Sequence, residues 1–246
     1  MGPSPAWHQR VRAQVNRPLV AAGLLVLLPL VVVAERLHRG AGRRVARWGV
    51  AVVAFLCGVR FERRGRGPGP GSPGVVVVPN HSSPMDIPAL LWAEPDVRFL
   101  AAADLFRVPL LAAAMRALGT VPIDRKDRDR ARSQLDALVT HRRAGGRDPG
   151  DIVVFAEGGI APPGTRLPFR SGAFSLAIRS ASPVAPVAIR GSDRVLAPRG
   201  HLLIRPGVVT VEFLEPIDTG GLTSDDRGVL RDHVRDIVCA ATASTS

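Results

Sequence analysis

Short apolar runs alternate with amphipathic stretches along residues 75–246, a pattern typical of α/β proteins. The clearest run is Val75–Val78, four consecutive valines that Pro79 closes. An uninterrupted β-branched run is typical of a strand buried on both faces of a parallel sheet, and proline cannot continue the hydrogen-bond ladder. The pattern therefore predicts an α/β fold with a mixed, mainly parallel sheet flanked by helices.

The remaining elements follow from the same periodicities. Further strands are predicted at 97–101, 120–123, 152–155 and 184–189, and helices at 84–92, 108–118, 128–143, 174–179 and 225–242. Late in the chain, residues 202–206 and 208–214 predict a hairpin of two antiparallel strands. This hairpin is the reason to expect a mixed sheet rather than a purely parallel one.

The N-terminal pattern is different, because two apolar stretches stand among many arginines. Residues 1–66 hold twelve arginines and two glutamates, which is +10 of the net charge of +12. As a helix, the apolar stretch 19–34 would extend about 24 Å, short of the roughly 30 Å hydrocarbon core, and Pro29 interrupts it. The second stretch, 48–59, is shorter still. We expect residues 1–66 to form a basic, membrane-associated helical hairpin in one leaflet; the alternative is a single transmembrane span by 19–34.

A glycine- and proline-rich linker is predicted at residues 67–74, so that residues 75–246 form the second unit. The arginines beside the apolar stretches suit anionic headgroups, which predicts a location at the cytoplasmic face of a membrane. Aromatic residues make up only 4% of the chain and tyrosine is absent, so nucleic acid is not an expected partner. The two cysteines and six histidines lack metal-ligand spacing, and we expect no metal or redox cofactor.

The loop after the valine run carries the candidate chemistry. It begins with Asn80 and His81, and Ser83, Pro84 and Asp86 then have the spacing of a helix start. If the loop folds back, the carboxylate can accept the imidazole N–H, which fixes the tautomer and leaves the other nitrogen free as a base. A structural interpretation fits the same residues, with Asp86 only a capping acid and His81 only a polar loop residue.

Four segments, in order, resemble the sequence blocks of the glycerophospholipid acyltransferase family. They are Asn80–Asp86, Leu118–Arg125, Phe155–Gly158 with its continuation Pro168–Phe174, and Pro183–Ile189. A histidine and an aspartate five positions apart are weakly specific, whereas four ordered blocks across residues 74–191 are a strong resemblance. On this basis the chain is identified as a member of that family.

The resemblance implies direct transfer of an acyl group from acyl-coenzyme A or acyl carrier protein to the free hydroxyl of a lysophospholipid. The acceptor would be 1-acyl-glycerol-3-phosphate and the product phosphatidic acid, with no acyl-enzyme intermediate and no cofactor. It makes His81 and Asp86 the catalytic dyad and assigns Arg125 to the acceptor site, where a guanidinium matches a phosphate. The expected substrate contacts are Asn80, Arg125, Glu157, Gly158, Arg166 and Arg170.

Glu157 is expected to orient the acceptor hydroxyl or to hold an arginine, and Gly158 to let the chain turn sharply near a ligand. Two departures from the family pattern leave the acceptor headgroup open. Gly159 stands where the third block usually has threonine, and Ala102–Leu105 stands where a lysine often begins a family motif. An acyl-thioester hydrolase, in which water replaces the alcohol, and a non-catalytic membrane-surface protein are the alternatives from other classes.

Overall fold

The computed structural model describes residues 5–68, 74–94, 96–143, 150–162, 165–198 and 203–243. The helices are α1 Pro5–Leu37, α2 Ala41–Leu56, α3 Asp86–Ala93, α4 Pro109–Ala117, α5 Arg128–Arg143, α6 Gly172–Arg179, α7 Ser192–Val195 and α8 Arg227–Ala243. The strands are β1 Val59–Arg64, β2 Val76–Pro79, β3 Arg98–Ala102, β4 Val121–Ile123, β5 Ile152–Val153, β6 Val184–Arg190 and β7 Gly207–Phe213. A 3-10 helix, Ala103–Arg107, joins β3 to α4.

The strands of the described chain form one sheet in the order β1-β7-β6-β2-β5-β3-β4. All neighbours from β6 to β4 are parallel, β7 is antiparallel to β6, and β1 is parallel to β7. The sequence prediction of a mixed, mainly parallel sheet is therefore confirmed. The five parallel strands end at the same side of the sheet, which is called the carboxyl edge below.

Helices cover both faces of the sheet, so the valine side chains of β2 are buried on both sides. Val77 packs in a core with side chains of α1, α2, α3 and α4. Val76 and Val78 pack on the opposite face in a second core, with side chains of α5, α6 and α8. A central strand that is buried on both sides is thus apolar at every position, as the four-valine run predicts.

Residues 59–64 differ from the prediction, because they form a strand of the main sheet rather than part of an N-terminal helical unit. Val59 lies opposite Gly207 and Arg64 opposite Glu212, in parallel register with β7. The predicted boundary at residue 66 therefore follows a strand that belongs to the sheet. β1 lies at the edge of the sheet and carries four charged residues. Charged side chains are common on edge strands, and they made residues 59–64 difficult to recognise as a strand from the sequence. Most of the predicted 67–74 linker lies outside the described residues.

The predicted late hairpin is wrong. Residues 203–206 form no strand, and residue 202 lies outside the described residues. Gly207–Phe213 instead pairs with β6 on one side and with β1 on the other. Both partners are distant in sequence, so a local pattern of two adjacent apolar runs indicated the wrong neighbour.

The N-terminal helices form a hairpin, and α1 is longer than its apolar stretch. It continues through Pro18 and Pro29, contrary to the expected interruption. Each proline removes one backbone hydrogen bond, and the packing of α1 against α2 and α4 holds the helix together. Within the described chain, Asn16–Leu37 is the one helical stretch long and apolar enough to cross a membrane, and only 11% of its most apolar window is buried.

Polar contacts hold the hairpin to the rest of the chain at two distant points. The Nδ2 group of Asn16, itself buried, donates to the carbonyl of Cys57 at 3.2 Å and to that of Ile204 at 2.9 Å. At the other end of the hairpin, Arg43 lies 3.8 Å from the carboxylate of Asp96. Ile204 precedes β7 and Asp96 precedes β3, and these strands run in opposite directions. The contact at Ile204 is therefore at the carboxyl edge, and the contact at Asp96 is at the opposite side of the sheet, where the parallel strands begin.

Candidate active site

The loop after β2 is fixed to the neighbouring strand by Asn80. Its Nδ2 group donates to the carbonyl of Ile189 at 3.0 Å, and its Oδ1 atom accepts the Ile189 N–H at 2.7 Å. These two bonds continue the pairing of β2 with β6 beyond the last residue of the strand. The next residue, His81, is thereby held at the carboxyl edge of the sheet.

The imidazole of His81 contacts the carboxylate of Asp86, as the folded-back loop predicts. Nδ1 of His81 lies 2.9 Å from Oδ2 of Asp86, and the Asp86 side chain is fully buried. The same oxygen accepts the backbone N–H groups of Ser82 at 2.8 Å and Ser83 at 2.9 Å. A carboxylate is an acceptor, so Nδ1 carries the proton and Nε2 has the free lone pair. The imidazole also stacks on the ring of Phe155, with the centroids 4.0 Å apart.

Glu157 connects the His81 loop to the segment before α6. Its Oε1 atom accepts the backbone N–H of His81 at 2.8 Å, and its Oε2 atom accepts that of Leu167 at 3.2 Å. Burial raises the pKa of the Glu157 carboxyl above its ordinary value, and these two hydrogen bonds oppose the shift. In this geometry Glu157 positions two loops, and it also lines the groove beside His81. Its expected contact with an acceptor hydroxyl or an arginine stays a prediction.

Two arginines flank the turn at Gly158. Nη1 of Arg125 donates to the Gly158 carbonyl at 2.8 Å. Gly158 has φ +72°, and a Cβ atom there would lie 2.7 Å from Nε of Arg170. Only glycine therefore suits both the backbone conformation and the overlying guanidinium. Burial, followed by the positive charge of Arg170, lowers the pKa of Arg125.

A groove of about 970 Å³ opens at the carboxyl edge beside His81. Its wall near the dyad also includes Asn80, Ser82, Glu157 and Arg166. Arg166 is exposed and lies on this side of the Glu157–Gly158 turn, away from the depression that holds the other two predicted arginines. The groove is thus lined by His81 and by four arginines, Arg166, Arg190, Arg194 and Arg235.

A second depression, of about 1,080 Å³, lies on the other side of that turn. Its lining in the described chain contains no carboxylate and five arginines: Arg125, Arg132, Arg170, Arg179 and Arg227. Its apolar wall includes Leu100, Ile123, Leu135 and Val154. Phe155, which stacks on His81, lines this depression as well, so the two hollows approach each other at that pair of rings.

Several contacts of the site involve residues that the motifs did not indicate. The hydroxyl groups of Ser82 and Ser192 lie 3.1 Å apart, and Ser83 Oγ donates to the Leu196 carbonyl at 2.6 Å. These bonds fix the His81 loop to α7 and to the residue that follows it. No local signal could have found them, because the partners are more than a hundred positions apart.

Backbone amides beside His81 and at the Glu157–Gly158 turn are the nearby main-chain donors that could stabilise an oxyanion, and those named here are engaged within the protein. The N–H groups of Ser82 and Ser83 donate to Asp86, and that of Gly158 donates to the Phe155 carbonyl at 3.0 Å. These three donors therefore have acceptors within the protein itself.

The family of the chain follows from comparison with known proteins. The family model described as Acyltransferase matches residues 43–190. The chain belongs to this acyltransferase family. The chain is 29% identical over 212 residues to 1-acyl-sn-glycerol-3-phosphate acyltransferase alpha of Mus musculus, and the match covers 86% of this chain and 73% of the mouse protein. It is 31% identical over 168 residues to a putative 1-acyl-sn-glycerol-3-phosphate acyltransferase of Caenorhabditis elegans, which covers 68% of this chain and 58% of that protein.

The fold is shared with a solved enzyme. The crystal structure of the 1-acyl-sn-glycerophosphate acyltransferase PlsC from Thermotoga maritima matches with a TM-score of 0.76 at 23% identity, over 96% of this chain and 98% of that one. The correspondence includes nearly the whole of both chains. The protein is therefore an acyltransferase of mixed, mainly parallel α/β fold with an apolar N-terminal helix.

Proposed function

We propose that the acyltransferase moves a fatty acyl group from an acyl thioester to the free hydroxyl of 1-acyl-glycerol-3-phosphate, which gives phosphatidic acid. The observation that carries this proposal is the 2.9 Å contact between His81 Nδ1 and the fully buried Asp86 carboxylate, beside an open groove. The contact orients the imidazole and fixes its tautomer, so that Nε2 is the basic nitrogen.

The reaction needs one proton transfer in each direction. Nε2 of His81 removes the proton of the acceptor hydroxyl while the hydroxyl oxygen attacks the thioester carbonyl carbon. The new carbon–oxygen bond gives a tetrahedral intermediate, and Asp86 stabilises the imidazolium that forms beside it. The carbon–sulfur bond then breaks, and the imidazolium returns its proton to the thiolate. The products are phosphatidic acid and a free thiol, and the protein is not acylated.

The second depression suits the acceptor, because it joins cations to an apolar wall. Arg125 and Arg170 both lie at the Gly158 turn, close to His81 through Phe155. The described lining of this depression holds these two guanidinium groups and no carboxylate, which favours a phosphate, and its apolar side chains favour an acyl chain. The relatives named above are acyltransferases of 1-acyl-sn-glycerol-3-phosphate, which supports the same acceptor.

The groove beside His81 is the proposed approach of the acyl donor, either acyl-coenzyme A or acyl carrier protein. Arg166 lines this groove with His81, and its exposed guanidinium can meet the phosphate that both donors carry. Arg166 is thus assigned to the donor, whereas Arg125 and Arg170 are assigned to the acceptor. Asn80, Glu157 and Gly158 shape the boundary between these two substrate positions.

The proposed location is the cytoplasmic face of a membrane, with the hairpin in one leaflet. The exposed side of α1 and α2 carries large apolar side chains, among them Leu25, Leu30, Trp48 and Phe55. The contacts of Asn16 with Ile204 and of Arg43 with Asp96 hold the hairpin along the sheet. A transmembrane course would bring the sheet into the hydrocarbon core, whereas an in-plane course leaves it in water. The N-terminal arginines would then contact anionic headgroups.

Free-thiol release from a long-chain acyl-coenzyme A tests the proposal. The detergent-purified acyltransferase is assayed with lysophosphatidate, with other lysophospholipids and without an acceptor. We expect release that requires lysophosphatidate, and we expect His81→Ala to reduce it by about a hundredfold or more, the usual contribution of a general base. His233→Ala changes an exposed histidine on α8 and is the matched control.

Each other result contradicts a defined part of the proposal. Release with a different lysophospholipid alone would change the acceptor, and release without any acceptor would indicate a hydrolase. A wild-type rate in His81→Ala would exclude the dyad. If acyl-coenzyme A gives no thiol release, the same assay with acyl carrier protein decides the donor. No thiol release with either donor would exclude acyl transfer to these lipids.

A further inference from the structure

The proposed reaction needs a hydrogen-bond donor beside His81, because negative charge develops on the thioester carbonyl oxygen when the acceptor attacks. Preorganised donors that face this oxygen are a large part of catalysis in acyl transfer. The backbone N–H groups of Ser82, Ser83 and Gly158 already donate within the protein. The side chains around the groove are the other source of such a donor.

Ser82 follows His81 directly and lines the same groove. Its Oγ atom lies 3.1 Å from Oγ of Ser192 on α7. Its backbone N–H is bound to Oδ2 of Asp86, the oxygen that also contacts the imidazole of His81. The hydroxyl of Ser82 is therefore held by the same carboxylate that sets the position of the proposed base.

The partners of Ser192 set the direction of the hydrogen bond between the two hydroxyl groups. Ser192 is fully buried, and Ser82 Oγ is the one hydrogen-bond partner of its hydroxyl among the described residues. Since a buried O–H without an acceptor is costly, the Ser192 hydroxyl donates to Ser82 Oγ. The O–H of Ser82 then has no acceptor within the described chain. This half-buried hydroxyl is thus a free donor at the wall of the groove.

Ser83, the next residue, has a hydroxyl that is used entirely inside the protein. It donates to the Leu196 carbonyl at 2.6 Å and accepts the Met85 N–H at 3.0 Å. The Ser83 side chain is fully buried. Two adjacent serines therefore differ in role: Ser83 fixes the loop, whereas Ser82 keeps a proton to donate.

The contacts of the imidazole favour a donor at Ser82 over a nucleophile. An attacking serine needs a base within hydrogen-bond reach of its hydroxyl. In the described chain, Nδ1 of His81 is bound to Asp86 and Ser82 Oγ is bound to Ser192, and no hydrogen bond joins Ser82 Oγ to the imidazole. The base is thereby left for the hydroxyl of the acceptor.

We propose that Ser82 is a further catalytic residue, the donor that stabilises the oxyanion, and that Ser192 is the positioning residue that orients it. As the acceptor oxygen bonds to the carbonyl carbon, the π electron pair moves to the carbonyl oxygen. The Ser82 O–H donates a hydrogen bond to that oxygen and keeps its proton. When the carbon–sulfur bond breaks, the carbonyl forms again and the hydrogen bond weakens. The assignment rests on the proposed function, since it needs a thioester carbonyl beside His81.

Infrared spectroscopy of a bound donor tests this hydrogen bond without any transfer. Palmitoyl-coenzyme A, or palmitoyl-acyl carrier protein if that is the donor used, is labelled with carbon-13 at the carbonyl and bound to the detergent-purified protein without an acceptor. We expect a lower carbonyl stretching frequency in the wild type than in Ser82→Ala, because a hydrogen bond weakens the carbonyl bond. Ser82→Thr keeps a hydroxyl and should keep the lower frequency. The matched control is Ser133→Ala, at an exposed serine of α5 whose hydroxyl donates to the Asp129 carbonyl.

Kinetics test the contribution to the transition state. In Ser82→Ala, kcat should fall about a hundredfold, the usual loss for one oxyanion donor, with little change in KM for either substrate. Ser82→Thr should recover most of the rate, and Ser192→Ala should lose about tenfold, because its partner hydroxyl is less well oriented. The pH profile of kcat should keep its shape in Ser82→Ala, since His81 is unchanged. Ser133→Ala should behave as the wild type.

Three results would overturn the assignment. Equal carbonyl frequencies in the wild type and Ser82→Ala would show that the hydroxyl does not reach the carbonyl. An equal loss of kcat in Ser82→Thr and Ser82→Ala would assign the effect to the fit of the side chain, and a palmitoyl group found on Ser82 by mass spectrometry would make this serine a nucleophile. Failure of the proposed function gives a different result, since the wild type would then release no thiol with any acceptor while the carbonyl frequencies still decide whether Ser82 binds the thioester.

Discussion

The Oδ2 atom of Asp86 both holds the His81 loop in its conformation and orients the imidazole of the proposed base. It accepts hydrogen bonds from the imidazole of His81 and from the backbone N–H groups of Ser82 and Ser83. The bonds that fold the loop are therefore made by the same oxygen that fixes the tautomer of the proposed base. Glu157 adds a second restraint through the backbone N–H of His81. The position of the base is set by two buried carboxylates, one on its ring and one on its main chain.

The turn at Gly158 gives a prediction for acceptor binding. Gly158→Ala places a Cβ at a residue with φ +72° and within 2.7 Å of the Arg170 guanidinium. The left-handed conformation costs an alanine roughly 1 kcal/mol, and Arg170 must move away. We expect the KM for lysophosphatidate to rise by about tenfold with a smaller change in kcat, measured by thiol release over a range of acceptor concentrations.

The matched control is Gly228→Ala, because a Cβ there meets no atom within 4 Å. It should leave both kinetic parameters unchanged. A Gly158→Ala variant with wild-type KM would show that Arg170 does not contact the acceptor.

The sequence predicted the contacts of the site where partners are close in the chain. His81 and Asp86 are five residues apart, and a helix start between them brings them together. The bonds of Glu157 to His81, of Asn80 to Ile189 and of Ser82 to Ser192 depend on strand order, which local spacing does not contain. The contacts of Glu157 with two loops could therefore not be predicted from the sequence, and its contact with substrate stays a prediction.

Among the elements, α3 is joined to β1 by a partly buried ion pair whose carboxylate should make stability depend on pH. Glu94 follows α3, its side chain is 12% exposed, and it lies 3.3 Å from Arg63 of β1. Burial raises the pKa of Glu94 from 4.5 to about 6, with Arg63 opposing the shift. The native state thus binds the proton more tightly than the unfolded state. The free energy of unfolding should fall by about 2 kcal/mol as pH rises from 4.5 to about 6, and should stay level above that pH.

Glu94→Gln should remove this slope, since the amide does not ionise and can still accept a hydrogen bond from Arg63. The test is the free energy of unfolding in detergent, measured for wild type and variant between pH 4.5 and 7. Glu215→Gln, at an exposed position, is the control. An identical slope in wild type and Glu94→Gln would assign the pH dependence to another group.

The elements themselves were predicted where both periodicity and burial are strong. Residues 76–79, 128–143 and 184–190 agree with expectation because a buried strand or an amphipathic helix has a clear pattern. β1 was missed and β7 was given the wrong partner. In both cases the deciding interaction is a pairing between the first and last strands, which no window of neighbouring residues reveals.

For the whole molecule, membrane binding should depend on the outward side of the hairpin. Leu25 and Phe55 are 68% and 80% exposed on α1 and α2. Replacing both with serine removes large apolar side chains from the lipid, and we expect partition onto vesicles to fall by about tenfold or more. Co-sedimentation with vesicles measures this loss. Val229→Ser is the control, and unchanged sedimentation of the double variant would show that the hairpin does not enter lipid.

Point substitutions are a better test of membrane binding than removal of residues 1–60 would be, because the hairpin contributes side chains to a core of the α/β domain. Val20, Val31 and Ala46 are buried in the core that α3 and α4 share. Deletion would uncover that core and would remove the first two residues of β1. Loss of membrane binding could then not be separated from loss of the fold.

The pairing of β1 with β7 also has a consequence for synthesis. The hairpin and β1 emerge from the ribosome early, whereas β7, the one neighbour of β1 among the described strands, is the last of those strands to be made. Until then the sheet-facing side of the hairpin has no complete surface to pack against, and Asn16 lacks its partner at Ile204. The bilayer can receive the apolar side of the hairpin throughout this interval. Insertion would thus precede closure of the domain, and the nascent chain would finish folding at the membrane on which it is proposed to act.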